Sequence, residues 1–304
     1  MPDNILVTGT GSGFGLLMVQ TLLGKGLTVY AGIRDPHGRN AERAASLQTF
    51  AEGSNGTLAI VDLDVLKEAD CRAAADAMMA RDGRIDAVFH NAGHLFIGYT
   101  EAFTPEQLTE AFRSNVLGAH ILNRAVLPFM REAGQGTLIY NSSGSARVIG
   151  PFMGPYVVGK MAFDALAEAT AYEANAFGIE TVIIMPGAFT KGTSHFDTHA
   201  APEDAEVVRA YARLQPDFDQ YGPGLEKLFE GREQPPQAVA DEVARVLALP
   251  RGNKPLRTEV DFSEWGAGVC NAVAEYETAR LWGNMGLSHL LRVSLRQDES
   301  GDRT

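Results

Sequence analysis

The sequence predicts an α/β fold built on a doubly wound parallel sheet of about seven strands. Short apolar runs alternate with helix-patterned segments, a glycine-rich loop follows the first run, and polar residues follow several later runs. Alternation of this kind gives parallel strands, right-handed crossovers and a ligand crevice at the carboxyl ends of the strands. The predicted strands are 4–8, 27–33, 57–61, 85–89, 136–142, 180–185 and 254–261. The predicted helices are 16–23, 67–81, 104–131, 156–177, 238–249 and 264–282.

Length and composition bound the class of protein. The chain has 304 residues, 45% of them hydrophobic, and a formal net charge of -12. That charge argues against a nucleic-acid partner or an anionic membrane surface, because lysine and arginine are not in excess. No apolar stretch reaches about 18 residues, the first residues lead straight into a strand, and Cys71 and Cys270 have neither metal-ligand nor redox spacing. We therefore expect a soluble cytoplasmic protein without a metal site.

We predict one domain over residues 1–304. Residues 1–190 form the core, and residues 191–235 are proline-rich and form a lid over the crevice. Residues 236–262 supply the last helix and strand. Residues 263–304 are a C-terminal extension, whose end at 297–304 is polar and predicted to be frayed.

The first strand runs into a loop with glycines at 9, 11, 13 and 15. Glycines between a strand and a helix let a phosphate approach the helix N-terminus, since any Cβ would block it. The spacing is TGxxxGxG from Thr8 to Gly15, not GxGxxG. The alternative is an ordinary turn. Ser12 could add a hydrogen bond to the phosphate.

The second strand ends in Ile33 and Arg34. Many NAD-binding proteins carry an acid here for the ribose hydroxyls. An arginine instead could pair with a 2'-phosphate, which favours NADP(H) over NAD(H). Arg39 either adds charge or is a solvated loop residue.

Two further strand ends carry candidate binding residues. Asp64 follows the third strand and either binds an adenine amino group or caps a helix. Asn91, Ala92 and Gly93 follow the fourth, where small residues would let a cofactor lie across the sheet. The single histidines His90 and His94 are interpreted as structural.

The chemistry is centred on Ser143, Tyr156 and Lys160. Tyrosine and lysine four apart lie on one helix face. A free phenol has a pKa of about 10. Moving that pKa roughly three units towards neutrality requires about 4 kcal/mol of stabilisation of the phenolate, which a neighbouring ammonium could supply. Tyr-x-x-x-Lys also arises by chance, with a packed tyrosine and a solvated lysine. Asn115, within an apolar-faced helix, is either a buried relay or a surface residue.

The order and spacing of these motifs over roughly residues 4–190 resemble the short-chain dehydrogenase/reductase family, in its single-domain type. The resemblance implies a Rossmann fold and a catalytic tetrad of Asn115, Ser143, Tyr156 and Lys160. The Ile33-Arg34 pair is similar to that of NADP-preferring members, among them 17β-hydroxysteroid and retinol dehydrogenases. The family's usual threonine after Pro186 is replaced by Lys191, which leaves Thr190 or Thr193 for the nicotinamide carboxamide. The implied cofactor-binding residues are Thr8, Gly9, Ser12, Gly13, Phe14, Gly15, Arg34, Asp64, Val65, Asn91, Ala92, Gly93, Tyr156, Lys160, Pro186, Gly187 and Thr190.

The resemblance further implies NADP(H)-dependent interconversion of a carbonyl and an alcohol. Tyr156 would be the general acid/base, Ser143 would bond the carbonyl, Lys160 would bind the ribose and lower the phenol's pKa, and Asn115 would hold a water. The family commonly dimerises or tetramerises through the helices carrying Asn115 and Tyr156, so we expect a homodimer or homotetramer. The alternatives are a non-catalytic NADP(H) sensor and an epimerase or dehydratase on the same fold.

The substrate side is less determined by sequence. Aromatic and apolar residues flank the expected site and indicate a medium-sized apolar substrate, although such residues are as often core. They are Phe96, Phe152, Met153, Phe189, Phe196 and Tyr221. His195 and His199 lie in the lid and either touch substrate or are exposed loop residues.

Overall fold

Seven parallel strands form one sheet in the computed structural model, which describes residues 3–229 and 231–295. The spatial order is β3-β2-β1-β4-β5-β6-β7, so the strand order reverses between β1 and β4. This confirms the predicted doubly wound sheet. The strands are β1 Asn4–Thr8, β2 Thr28–Ile33, β3 Thr57–Asp62, β4 Ala87–His90, β5 Gly136–Asn141, β6 Ile179–Pro186 and β7 Arg257–Val260.

Helices cover both faces of the sheet, because successive strand residues point to opposite sides. Ile5 and Val7 of β1 pack in a cluster with α1, α2 and α9, whereas Leu6 packs in a second cluster with α3, α5 and α6. The helices are α1 Gly13–Gly24, α2 Ala41–Glu52, α3 Glu68–Asp82, α4 Pro105–Phe112, α5 Gly118–Ala133, α6 Gly154–Ala174, α7 Ala205–Ala210, α8 Gln215–Lys227, α9 Gln237–Leu247 and α10 Ala267–Asn284.

The predicted helix over 104–131 is divided. Thr104 caps α4 in a capping box with Gln107, as its sequence indicates. A π-helical turn, Arg113–Leu117, then separates α4 from α5. Such a turn is a local insertion into helical geometry and is frequent at functional sites. It contains Asn115.

The lid segment and the C-terminal extension are both anchored to the core. Ile97 donates to the carbonyl of Ala200 (3.0 Å), and Ala200 donates to that of Leu95 (2.8 Å), so the lid pairs with the chain after β4. The lid contains two helices, α7 and α8. The extension contains α10 and a 3₁₀ turn, Ser288–Leu291. The segment predicted to be frayed, 297–304, lies outside the described residues.

Within the described ranges, no helix is long and apolar enough to cross a membrane.

Candidate active site

Thr8 fastens the glycine loop to the neighbouring strand at the point where the strand order reverses. Its hydroxyl donates to the carbonyl of Phe89 (3.2 Å) and accepts from the amides of Asn91 (2.9 Å) and Ala92 (3.0 Å). The Asn91 side chain donates to the carbonyl of Thr8 (3.1 Å). Thr8 therefore holds the rim of the crevice and does not line it.

The glycines of the loop are required by close approach and by backbone conformation. Gly9 and Gly13 have φ of +67° and +55°, which favour glycine. A Cβ on Gly15 would stand 2.2 Å from the carbonyl oxygen of Gly9. Gly15 thus packs α1 against β1, while Gly9, Ser12, Gly13 and Phe14 line the cleft. Ser12 is the N-cap residue of α1, and its side chain makes no capping bond.

Three arginines line one end of the cleft. They are Arg34, which follows β2, Arg39 in the next loop, and Arg43 of α2. A Cβ on Gly11 would lie 3.1 Å from Arg43 Cδ, so this side chain lies over the glycine loop. The Asp35 carboxylate is turned into its own loop, where it accepts from the Arg39 amide (2.9 Å). The end of the cleft therefore suits a phosphate.

The strand ends on either side complete the floor of the cleft. Asp64 and Val65 line it next to the arginines. Asp64 accepts a bond from the Leu66 amide (3.1 Å), which closes a turn before α3, whereas the N-cap residue of α3 is Lys67. The helix-cap interpretation of Asp64 is therefore wrong.

Ser143, Tyr156 and Lys160 meet in the same cleft. Ser143 follows β5 and begins the 3₁₀ turn Gly144–Ala146, where its hydroxyl accepts from the amide of Ser145 (3.2 Å). Tyr156 and Lys160 lie on the first turns of α6, both buried. Lys160 Nζ is 5.8 Å from the centre of the Tyr156 ring and donates to the carbonyl of Asn141 (2.6 Å).

The pKa of the Tyr156 phenol differs in direction from the sequence-based prediction. Burial raises it to about 12, and interaction with the Ser143 hydroxyl acts the other way. Burial also lowers the pKa of Lys160 to about 8. Removing water destabilises whichever form carries charge, so it opposes the phenolate and the ammonium together. The Tyr156 phenol of the protein alone therefore keeps its proton at neutral pH and can act as a proton donor.

Asn115 does not line the cleft but supports its wall. Its Oδ1 accepts from the His94 amide (2.6 Å) and its Nδ2 donates to the His94 carbonyl (3.0 Å). A Cβ on Gly159 of α6 would be 3.2 Å from Asn115 Cβ. The π-helical turn thus presses Asn115 between α6 and the chain after β4. Gly93 and His94 of that chain line the cleft.

The segment after β6 places one threonine in the cleft, and it is not Thr190. The Thr190 hydroxyl accepts from Gln234 Nε2 (2.9 Å), and this residue lies outside the cleft. Thr193 lines the cleft instead, and its buried hydroxyl has no partner among the described residues. Pro186 and Gly187 line the cleft as predicted. Of the two candidates for the nicotinamide contact, Thr193 lies in the cleft and Thr190 does not, because the chain after Phe189 turns away before it returns.

The lid brings one histidine to the tyrosine. His195 lines the cleft, and its ring contacts the Tyr156 ring edge-on, with centroids 5.8 Å apart. Burial lowers the pKa of His195 to about 4, so the ring is neutral at physiological pH. His199 is exposed, and His90 is buried and stacked on Tyr140 (4.7 Å), as a structural histidine would be.

The cleft that joins these groups has a volume of about 700 Å³. It runs from the arginines, past the glycine loop, to Tyr156. Beyond Tyr156 the walls are mostly apolar and aromatic. These wall residues are Phe96, Met153, Phe196, Tyr221, Leu225 and Trp265.

Fold and site together define a Rossmann-type α/β protein with a cleft at the carboxyl ends of its strands, and comparison with known proteins gives the family. The family model for short chain dehydrogenases matches residues 3–202. The chain belongs to the short-chain dehydrogenase/reductase family and is an oxidoreductase, which confirms the resemblance seen in the sequence.

Individual relatives cover most of the chain. It is 30% identical to a 3-ketodihydrosphingosine reductase of Bacteroides thetaiotaomicron over 85% of this chain and 88% of that protein. It is 28% identical to retinol dehydrogenase 8 of Homo sapiens over 86% of this chain and 82% of that one. A crystal structure of a short-chain dehydrogenase from Streptomyces avermitilis superposes with a TM-score of 0.70 at 25% identity, covering 93% of this chain and 98% of that chain.

Proposed function

We propose that the protein is an NADP(H)-dependent oxidoreductase that interconverts a carbonyl and an alcohol on a medium-sized apolar substrate. The observation that carries the proposal is the meeting of Ser143, Tyr156 and Lys160 in one cleft with the glycine loop and Arg34. A proton donor, a hydroxyl beside it and a phosphate-binding loop are the parts that carbonyl reduction requires.

The residues present fit a phosphorylated dinucleotide. Gly9 and Gly13 line the cleft without side chains, and Arg34 and Arg43 supply positive charge at the far end. The Thr193 hydroxyl, which has no partner among the described residues and lies beside the glycine loop at Gly13, offers a hydrogen bond for the nicotinamide carboxamide. When bound, the reduced nicotinamide supplies hydride.

The side chains around Tyr156 handle the proton. Tyr156, protonated at neutral pH, donates its proton to the oxygen of the substrate, and Ser143 donates a hydrogen bond to the same oxygen. Lys160 binds the ribose and stabilises the charge that remains on the phenol. The Asn115 amide has a second N–H beyond the one that donates to the His94 carbonyl. It has no bond to another described residue and would hold a water for proton return.

The walls beyond Tyr156 support the substrate class. Phe96, Met153, Phe196 and Tyr221 offer apolar contact, and His195 is a neutral polar group among them. The named substrates of two relatives, 3-ketodihydrosphingosine and retinol, are therefore the first compounds to test.

Two other functions remain as outcomes of that test. A sensor would bind NADPH without consuming it, and an epimerase or dehydratase would change a sugar-like substrate without net coenzyme oxidation. A proton donor beside a hydroxyl favours the reductase over the sensor, and the glycine spacing TGxxxGxG disfavours the epimerase or dehydratase.

The deciding experiment measures NADPH oxidation with a panel of ketones and aldehydes, including 3-ketodihydrosphingosine, and NADP⁺ reduction with retinol. Tyr156→Phe keeps the ring and removes the proton, so kcat should fall about 10²- to 10⁴-fold while the Kd for NADPH is unchanged. Tyr276→Phe, on an exposed tyrosine (68%), is the matched control and should behave as wild type. Unchanged turnover in Tyr156→Phe would eliminate the assignment, and binding without consumption would favour the sensor.

The proposal includes self-association through α4 and α6. Both helices expose apolar side chains, namely Leu108, Phe112, Val158 and Met161. A second copy of the chain would cover them, giving a homodimer or homotetramer. Sedimentation velocity of Met161→Glu against wild type tests this.

The free Cys71 and Cys270 suit the cytoplasm, which we propose as the location.

A further inference from the structure

The indole of Trp265 lies on the loop that follows Ser143. Its Nε1 donates to the carbonyl of Val148 (2.6 Å). A Cβ on Gly150 would be 3.2 Å from Trp265 Cζ2, and a Cβ on Gly144 would be 3.5 Å from its Cδ1. The ring therefore covers both ends of the loop, and a side chain at Gly150 would press on it.

The backbone around Trp265 is shaped to present that ring. Glu264 and Gly266, its two neighbours, have φ of +54° and +92°. A left-handed non-glycine residue is uncommon and marks a conformation that the surroundings impose. The Trp265 amide donates to Asp261 Oδ2 (2.7 Å), which ties the turn to the end of β7.

A second link joins the same loop to the C-terminal extension. Arg147 donates through Nε to the side chain of Asn271 in α10 (2.8 Å) and through Nη2 to Asp164 (2.5 Å). Ser142, next to Ser143, donates to the other oxygen of Asp164 (3.3 Å). The extension thus holds the loop at Val148 by Trp265 and at Arg147 by Asn271.

Trp265 also faces the cleft, together with Ser143 and Met153. We infer that Trp265 is a specificity-determining residue of the proposed reaction: its indole is the wall on which the apolar part of the substrate rests, and it positions Ser143 through the loop beneath. The inference rests on the proposed function for the site. It gives the C-terminal extension a role at the substrate end of the cleft.

The test compares a bicyclic apolar ketone, 1-decalone, with a small one, butanone, in the intact chain. Trp265→Ala removes the wall, so KM for 1-decalone should rise about 10- to 100-fold relative to KM for butanone, as expected for lost apolar contact. Trp265→Phe keeps a ring but loses the N–H, so kcat should fall about 2- to 10-fold for both ketones, with little change in KM. The Kd for NADPH should stay the same in both variants.

The second tryptophan supplies the control. Trp282 packs edge-on against Tyr172 (5.5 Å) and lies outside the cleft. Trp282→Ala and Trp282→Phe should therefore leave the ratio of the two KM values unchanged. If Trp265→Ala shifts both ketones equally, or no more than Trp282→Ala, the inference is overturned. Trp265→Leu is the replacement if Trp265→Ala does not fold.

A fluorescence titration separates this inference from the proposed function. In Trp282→Phe, Trp265 is the remaining indole of the chain. Its emission should change saturably with 1-decalone in the presence of NADP⁺, whether or not turnover occurs. Emission that does not respond contradicts the wall, whereas a response without NADPH oxidation by any ketone contradicts the reductase alone.

Discussion

The ammonium of Lys160 donates a 2.6 Å hydrogen bond to the backbone carbonyl of Asn141, the last residue of β5. The side chain of Asn141 donates in turn to Asn91 Oδ1 (2.9 Å), and that of Asn91 donates to the carbonyl of Thr8 (3.1 Å). A single chain of bonds therefore runs from α6 across the ends of β5, β4 and β1. Lys160 is fixed at the end of this chain, in a place where water is excluded.

Burying that ammonium has a cost that can be measured. The pKa of Lys160 is lowered from 10.5 to about 8, so between those pH values the unfolded chain binds more protons and the free energy of unfolding rises with pH. Below pH 8 the burial costs about 3 kcal/mol, at 1.36 kcal/mol for each pKa unit. Lys160→Met removes this cost and the bond to Asn141, worth about 1 kcal/mol. We expect a gain of about 1–2 kcal/mol at pH 7, with turnover lost.

Urea unfolding at pH 7 and pH 10 measures both effects. Lys67→Met, on an exposed lysine, is the control and should change neither the stability nor its pH dependence. A Lys160→Met protein that is no more stable than wild type, or that keeps the rise towards pH 10, would show that the lysine is not buried as described.

Coenzyme preference should depend on the arginine end of the cleft. Arg34→Asp replaces a cation by a carboxylate that repels a 2'-phosphate, so KM for NADPH should rise about 10- to 100-fold and KM for NADH should fall. Arg43→Ala should weaken the binding of NADPH without improving that of NADH, because it removes positive charge and adds no carboxylate for the ribose. Steady-state kinetics with both coenzymes measure the ratio. Arg72→Asp, exposed on α3, is the control, and an equal change in that variant would refute the assignment.

The central motifs were predictable because each is local. Ser143, Tyr156 and Lys160 depend on one strand end and one helix, and the alternation of elements already places that strand end at the crevice. The glycine loop is local in the same way. The residues that the sequence did not identify, Arg43 and Trp265, reach the cleft from a helix beyond the loop and from the far end of the chain. Their spacing in sequence carries no information about that approach.

The electrostatics of the site were the second feature that could not be predicted from the sequence. The pair of Tyr156 and Lys160 can be read from spacing, and the attraction between phenolate and ammonium follows from it. The burial of both groups cannot be read this way, and it raises the pKa of Tyr156 to about 12. The interruption of the helix at Asn115 could not be predicted either, since nothing in an apolar-faced run of residues specifies a π-helical turn.

The two candidate threonines after Pro186 can be separated by mutation. Thr193→Ala removes a buried hydroxyl that faces the cleft without a partner, so NADPH binding should weaken about 2- to 10-fold, as for one hydrogen bond. Thr190→Ala breaks a bond to Gln234 outside the cleft and should leave NADPH binding unchanged. Isothermal titration calorimetry of both variants gives the comparison, and the reverse order of effects would return the contact to Thr190.

Asp164 should be the most costly carboxylate in the described chain to remove. It is fully buried, and its Oδ1 accepts from Arg257 (2.7 Å) and from Arg147 (2.5 Å). Arg257 is itself buried (8% exposed), so Asp164→Ala would leave its charge with Glu168 as its remaining partner. Breaking a buried pair from one side costs about 3–5 kcal/mol, because the other charge stays desolvated. Urea unfolding followed by circular dichroism should show this loss, with a smaller one for Asp164→Asn, which keeps an acceptor oxygen. Glu277→Ala, from an exposed pair with Arg280, should unfold as wild type does, and a similar result for Asp164→Ala would mean that the network adds nothing to stability.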